Sequence, residues 1–382
     1  MTLTRRRFLE TGAAWAAAAL AGCGPGEPAT LPQPLVGDPL ETLRVRGYRG
    51  LAELPWFERD AAGELRLTVD LPPGVDFHAH LGFFYFLAPA IDYNAAAAPT
   101  QYGFDCDADP HCVLDLDVYM NHFTTEKMQG ELTSGFLRSF LLGSAAGRTH
   151  TLPNLRQEMD RNGIERAVLL PVRPGFPFRD DLTDPWLEAV AQSGSPERFV
   201  VFGAVHPAEA SAAAELDALA DRGLRGVKLH PTMQRVAPDD PRAMALYEVC
   251  RDRNLIVFFH AGRAGVEPEF MQPYALMERY EAPVAEFPDV DFVFGHAGAR
   301  DFEAALPVAR GRRNVWMDAH GQGVRDIGRL VDAVGPERVL FGTDWPLFPQ
   351  AASLAKLLIA TRADAALRDR IFAENARELL AA

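Results

Sequence analysis

The sequence predicts an α/β chain folded as a (β/α)8 TIM barrel, with a cap inserted after its first strand. Three observations carry that expectation. Short apolar runs alternate with helical patterns from about residue 155 onward, and together with the run at 74–81 they number eight. These runs show little polar alternation, as strands do when a parallel sheet is covered on both faces. Seven of the 10 histidines fall at or just past the ends of those runs, the rim where a barrel gathers its chemistry. An open doubly wound sheet is the alternative, but no Gly-x-Gly-x-x-Gly follows the first strand.

Residues 1–22 read as a leader outside the fold. Thr4-Arg5-Arg6-Arg7-Phe8-Leu9 resembles a twin-arginine export signal. The apolar run 13–20 is too short to span a bilayer. Leu20-Ala21-Gly22-Cys23 resembles a lipobox, which makes Cys23 the expected lipidation site. The expected form is an exported, periplasmic or cell-envelope lipoprotein, held to the membrane through Cys23. Residues 23–72 read as a tether and N-terminal extension, rich in Gly and Pro at first, with a small strand at 64–70.

Residues 73–382 read as the barrel. The pattern breaks down after 82, and 94–150 reads as an insertion, too long for a plain loop. Its aspartates, at 105, 107, 109, 115 and 117, lack the glycine and closing glutamate of a calcium loop. Cys106 and Cys112 lie close in sequence and, in an oxidising compartment, are expected to form a disulfide. Beyond the insertion the spacing predicts helices over 155–162, 184–192, 210–220, 242–253, 273–287, 302–310, 324–334 and 351–382. Asp184 is the expected N-cap of the second, ahead of Pro185. Strands are predicted over 166–172, 199–205, 226–230, 255–260, 290–296, 315–318 and 339–344. Cys250, on a helical pattern, is expected to be a buried apolar residue.

Charge narrows the partners. The chain of 382 residues has a net charge of −14, and lysine occurs only at 127, 228 and 356. No basic cluster is present to bind nucleic acid, so the expected partner is a small molecule. The oligomeric state stays open between monomer and homodimer.

The first strand, Gly74-Val75-Asp76-Phe77-His78-Ala79-His80-Leu81, places Asp76, His78 and His80 at alternate positions and so on one face. Two neutral imidazoles side by side can ligate one transition metal ion. Alone, such a pair is more often packing than chemistry. The later strand ends reverse that reading, since they supply His206, His230, His260, His296, His320 and Asp344. A His/His/His/Asp set on one rim is zinc-type and leaves room for a water.

With His78-Ala79-His80, Phe258-Phe259-His260, Gly295-His296-Ala297-Gly298 and Gly342-Thr343-Asp344-Trp345-Pro346 in place, the chain resembles the amidohydrolase superfamily. Within it, the chain is similar to the branch containing aminocarboxymuconate semialdehyde decarboxylase and related metal-dependent hydrolases. The likeness runs from about residue 73 to the end. It takes in Gly226-Val227-Lys228-Leu229-His230-Pro231 and leaves out the leader and the insertion. The resemblance implies one divalent transition metal, zinc by expectation, on His78, His80, His260 and Asp344. It implies His296 as the acid/base beside the metal, with Asp344 able to accept a proton, and Asp76 becomes a partner behind the ligands. Lys228 and His230 are expected to meet substrate; a carboxylated Lys228 bridging two metals is the alternative. Arg263 and Arg300, and with less claim Arg173, could clamp a substrate carboxylate. Trp345 and Phe83-Phe84-Tyr85-Phe86 could wall the pocket. The expected reaction is hydrolysis of a small carboxylated molecule at an amide, lactone or ester bond. Decarboxylation of an aromatic or enoic acid is the second reading, and a non-catalytic metal- or ligand-binding lipoprotein the third.

Overall fold

A computed structural model describes residues 43–82, 91–108, 111–120, 143–176 and 181–382. The twin-arginine segment, Cys23, the aromatic run 83–86 and residues 121–142 of the insertion lie outside them.

Before the core come β1 (Arg44–Arg46), β2 (Phe57–Arg59) and β3 (Leu65–Leu67), then β4 (Gly74–Ala79) and β5 (Val113–Asp115). β2 and β3 form an antiparallel hairpin, and β1 pairs antiparallel with β5, which joins residues 44–46 to residues 113–115. The core strands are parallel. β4 pairs with β6 (Ile164–Leu169), and β6 with β7 (Phe199–Val201). A second sheet runs in chain order through β8 (Gly203–Ala204), β9 (Gly226–Leu229), β10 (Ile256–His260), β11 (Phe292–Gly295), β12 (Val315–Asp318) and β13 (Val339–Leu340). The two sheets touch at both ends. Only Phe202 separates β7 from β8, and its N–H donates to Leu169 O at 3.0 Å. On the other side, Phe77 N–H donates to Phe341 O (2.8 Å) and Asp344 N–H to His78 O (2.7 Å), so the chain leaving β13 lies against β4. Every residue of β4, β9, β10, β11 and β12 is buried, as two-sided covering requires.

Helices fill most of the connections. The one at Val324–Val334 buries Val324, Ile327 and Leu330, a three-residue spacing that lays one stripe on the core. Strands of both sheets feed one apolar cluster, with Val75, Phe77, Val168, Phe202, Ile256, Phe258, Val293, Trp316 and Leu340. The architecture is α/β with parallel sheets. Among the described residues no helix is long and apolar enough to cross a membrane.

Several expectations need correction. The helix expected from Asp184 spans Thr183–Gln192, with Leu182 at the N-cap; Asp184 pairs instead with Arg222 at 2.6 Å. The helix expected over 273–287 breaks into 3-10 turns, Glu269–Tyr274 and Met277–Tyr280, before a short α-helix, Glu281–Glu286. Pro273 and Pro283 explain this, because each removes a donor and disfavours helix in the residue before it. The last strand ends at Leu340, not Asp344. The C-terminal helix is interrupted after Gln350–Ala360 and resumes at Ala365–Asp369. Three aspartates between 94 and 150 are paired with arginines: Asp115 with Arg44 (2.7 Å), Asp117 with Arg325 (2.8 Å) and Asp107 with Arg49 (3.8 Å). Cys106 and Cys112 are joined as a disulfide, and Cys250 is buried.

Candidate metal centre

Each functional side chain sits where a parallel strand stops. β4 ends in His78 and Ala79 with His80 directly after it, and the turn after β13 delivers Asp344 beside them. The turn is held by a buried network. Asp76 accepts from His78 N–H (3.1 Å), Gln350 Nε2 (3.0 Å) and the Thr343 hydroxyl. Glu158, on the helix Leu152–Arg161, accepts from Trp345 Nε1 (2.7 Å), Gln350 N–H (2.7 Å) and the Tyr102 hydroxyl (3.0 Å). So Asp76 positions the Gly342–Asp344 turn and touches no imidazole nitrogen of the cluster.

The imidazoles are oriented by Asp318, the last residue of β12, and by a main-chain oxygen. His78 Nδ1 lies 2.7 Å from Asp318 Oδ2, and His80 Nδ1 lies 2.6 Å from Leu170 O. A carbonyl can only accept, so His80 carries its hydrogen on Nδ1. His78, pulled well below its ordinary pKa by burial and then by Lys228 and the neighbouring histidines, donates its single hydrogen to Asp318 in the same way. Both Nε2 atoms then face Asp344 Oδ1, at 3.5 Å from His78 and 3.1 Å from His80. His78 Nε2 is buried with no hydrogen-bond partner. A lone pair on His78 Nε2 turned towards a carboxylate oxygen is repelled by it, and a cation between the two would satisfy both. Burial raises Asp344, but the bond and charge of His80, with His320 and Lys228, outweigh it and hold the carboxylate below its ordinary value.

Three triads bring potential ligand atoms within 4.8 Å of one another: His78–His80–Asp344, His78–His296–Asp318 and His296–His320–Asp344. Three of the four expected ligands therefore meet. His260 lines the same cavity, but its ring stacks on His230 at 4.2 Å and its Nδ1 lies 3.1 Å from His296 Nε2. It belongs to none of the triads. His296 is neutral, pushed well down by burial and by His260, and its Nδ1 is buried without a partner. Its backbone is strained: His296, Ala297 and Ala299 have φ of 58°, 47° and 50°, and Asp344 has 55°. Left-handed backbone in residues with a Cβ is costly and clusters at functional sites.

Lys228, on β9, is buried with Nζ 4.3 Å from the centre of the Phe258 ring. Burial pushes its ammonium down to about 7, against the pull of Asp344 and Asp318. It lines a cavity of ≈ 210 Å³ together with His78, His80, His230, His260, His296 and Asp344. The rest of the wall is mainly apolar, including Phe104, Val172, Met233, Met271, Leu347 and Phe348. Phe104, from the insertion, stacks on Phe348 at 4.7 Å. His320, a member of the third triad, lies outside the cavity wall, with Nδ1 against Ser353 Oγ at 2.9 Å. His206 sits under Gly175 and accepts from Ala208 N–H.

The arginine clamp is not where it was expected. Arg263 wraps its guanidinium around Asp301, with Nε at 2.9 and 3.0 Å from the two oxygens. Asp301 is nearly buried and needs that partner. Arg300 is exposed and packs its guanidinium on Gly265. Arg173 pairs with Glu209 and Glu215. None of the three lines the cavity. Trp345 is fully buried on Glu158 and also lies outside the wall. Sequence reasoning passed over Asp318 and Glu267. Asp318 ends its strand as Asp344 was expected to end the next, and that signal could have found it.

The sequence pattern of the amidohydrolase family matches residues 158–381. No curated protein matches the chain in sequence. Solved structures of similar fold include 5-carboxyvanillate decarboxylase from Sphingomonas paucimobilis, 19% identical over 64% of this chain and 89% of that one, with a TM-score of 0.53. 2,6-Dihydroxybenzoate decarboxylase from Rhizobium is 15% identical over 81% and 99%, with a TM-score of 0.54. A probable 2-pyrone-4,6-dicarboxylic acid hydrolase from Acinetobacter baumannii is 16% identical over 81% and 99%, with a TM-score of 0.51.

Proposed function

This chain belongs to the amidohydrolase family and is an enzyme, a hydrolase or a decarboxylase, and on that premise we propose that it hydrolyses a small carboxylated molecule with the help of one zinc ion. The observation that carries this reading is the meeting of His78 Nε2 and His80 Nε2 with Asp344 in the wall of a largely apolar cavity. When bound, the metal supplies Lewis acidity and lowers the pKa of water to about 7. His78, His80 and Asp344 would hold it. His260 lines the cavity beside them, with its Nδ1 against His296 Nε2. The ionised Asp344 accepts a proton, and the neutral His296, with Nδ1 free, carries one between water and leaving group. Lys228 holds the substrate carboxylate at the floor. Phe104, Leu347 and Phe348 keep bulk water from the reacting atoms.

The second reading is decarboxylation of an aromatic acid on the same residues. It is favoured by the apolar wall and by the activities of two of the fold relatives, 5-carboxyvanillate and 2,6-dihydroxybenzoate decarboxylases. Turnover in 18O-labelled water separates the two. Hydrolysis puts one label into the product acid, whereas release of carbon dioxide with an unlabelled product selects decarboxylation. Neither outcome over a panel of lactones, esters, amides and hydroxybenzoates would sink both.

We read the two parallel sheets as a single (β/α)8 barrel, supported by the backbone bonds at both junctions, and residues 94–150 as its cap, supported by Gly103, Phe104 and Tyr119 in the cavity wall. Residues 1–22 are proposed to direct export and Cys23 to carry the lipid. A Cys23→Ala variant should leave the membrane fraction for the soluble one, and an unchanged distribution would remove the anchor from the account.

A further inference from the structure

The loop after β10 brings Ala264, Val266, Glu267 and Met271 into the cavity wall. Glu267 has two differently placed oxygens. Oε2 accepts from Gly265 N–H at 2.7 Å and Val266 N–H at 3.1 Å, which fixes the carboxylate on its own loop. Oε1 is buried with no hydrogen-bond partner. A carboxylate oxygen taken from water without a donor carries an uncompensated loss of hydration. Arg300 lends charge from behind Gly265, yet makes no hydrogen bond to that oxygen. Besides Asp344, Glu267 is the only carboxylate in the wall formed by the described residues. It belongs to none of the triads around His78, His80 and Asp344. Tyr119, also in the wall, has its phenol pushed up by burial and by the fields of both Asp344 and Glu267.

We propose that Glu267 is a specificity-determining residue whose free oxygen accepts a hydrogen bond from a hydroxyl, amine or amide N–H of the substrate. The donor sits on a part of the molecule other than the one at His78, His80 and Asp344. The proposal rests on the cavity being the substrate site. It narrows the substrate class to small acids that carry a donor group, such as hydroxy- or amino-substituted carboxylic acids. It disfavours diacids whose second carboxylate reaches Glu267, because like charges would meet in a desolvated wall.

The test is calorimetric titration of the zinc-loaded protein at pH 8 with the three hydroxybenzoates and the three methylbenzoates, which are matched in size. In the wild type at least one hydroxybenzoate should bind about tenfold or more tighter than its methyl counterpart, the usual worth of a hydrogen bond to a charged acceptor. Glu267→Leu should bring that preference below about threefold. Glu267→Gln, which keeps a neutral acceptor and the shape, should leave an intermediate value and serves alone if the leucine variant does not fold. A wild type with no hydroxyl preference, or with no measurable binding, overturns the inference, as does a preference that survives both substitutions. Zinc content on the same samples separates this from the functional reading. Full zinc with no preference removes Glu267 alone, and a preference without zinc removes the metal alone.

Discussion

Replacing Asp344 by alanine is expected to lower kcat/KM by about a thousandfold or more, the scale of losing both a ligand and a proton acceptor. Asp344 is shared by two of the three triads, so no other single carboxylate is placed to stand in for it. Its Oδ1 faces both His78 and His80, and its Oδ2 lies 3.8 Å from His320 Nε2. Without it, the two Nε2 atoms keep their direction but lose the anion that would balance the ion's charge. The fold should survive. The turn is fixed by its neighbours, Thr343 on Asp76 and Trp345 on Glu158, and not by the Asp344 side chain. Steady-state kinetics with circular dichroism on the same preparation checks this. A folded variant within about tenfold of wild-type kcat/KM would take Asp344 out of the mechanism.

The second large effect is expected at a residue that touches no substrate. Asp318→Asn should weaken zinc binding by about 10–100-fold, the usual cost of losing the group that orients a ligating histidine. Asp318 accepts three N–H groups: His78 Nδ1 at 2.7 Å and His296 N–H at 3.1 Å on Oδ2, and His320 N–H at 2.9 Å on Oδ1. An amide has one oxygen, so either orientation of asparagine turns an NH2 group on at least one of these donors. With NH2 towards His78, the ring can relieve the clash only by moving its hydrogen to Nε2, which removes the lone pair that the ion needs. The side chain cannot shift away, because Gly342 packs so closely that even a Cβ there would come within 2.4 Å of Asp318 Oδ1. Competition titration with a chromogenic chelator reads the affinity directly. An unchanged zinc affinity would show that Asp318 orients nothing.

Much of the site was legible because strand parity and strand ends leave traces in a sequence. His78 and His80 are two apart on an apolar run, and that spacing alone puts them together. His260, His296 and Asp344 follow apolar runs and so share a rim with them. Asp318 follows the same rule, as the last residue of its own apolar strand. Other features leave no such trace. Arg263 is a plausible clamp until its partner is known, and Asp301, 38 residues on, meets it only in three dimensions. Glu158 reads as an ordinary helix residue, yet it is buried and bonded to Trp345, 187 residues away. The ring stack that draws His260 towards His230 and His296 depends on side-chain rotation, which strand spacing does not encode. The left-handed turn at His296, Ala297 and Ala299 contains no residue, apart from Gly298, whose type announces it.

The central claim is that His78, His80 and Asp344 together hold a metal ion. Elemental analysis of the purified protein after loading with zinc and desalting tests it most directly. The wild type should retain about one zinc per chain, and a His78→Ala/His80→Ala double variant of unchanged circular dichroism should retain none. A wild type that emerges free of zinc, or a folded double variant that keeps as much as the wild type, would contradict it.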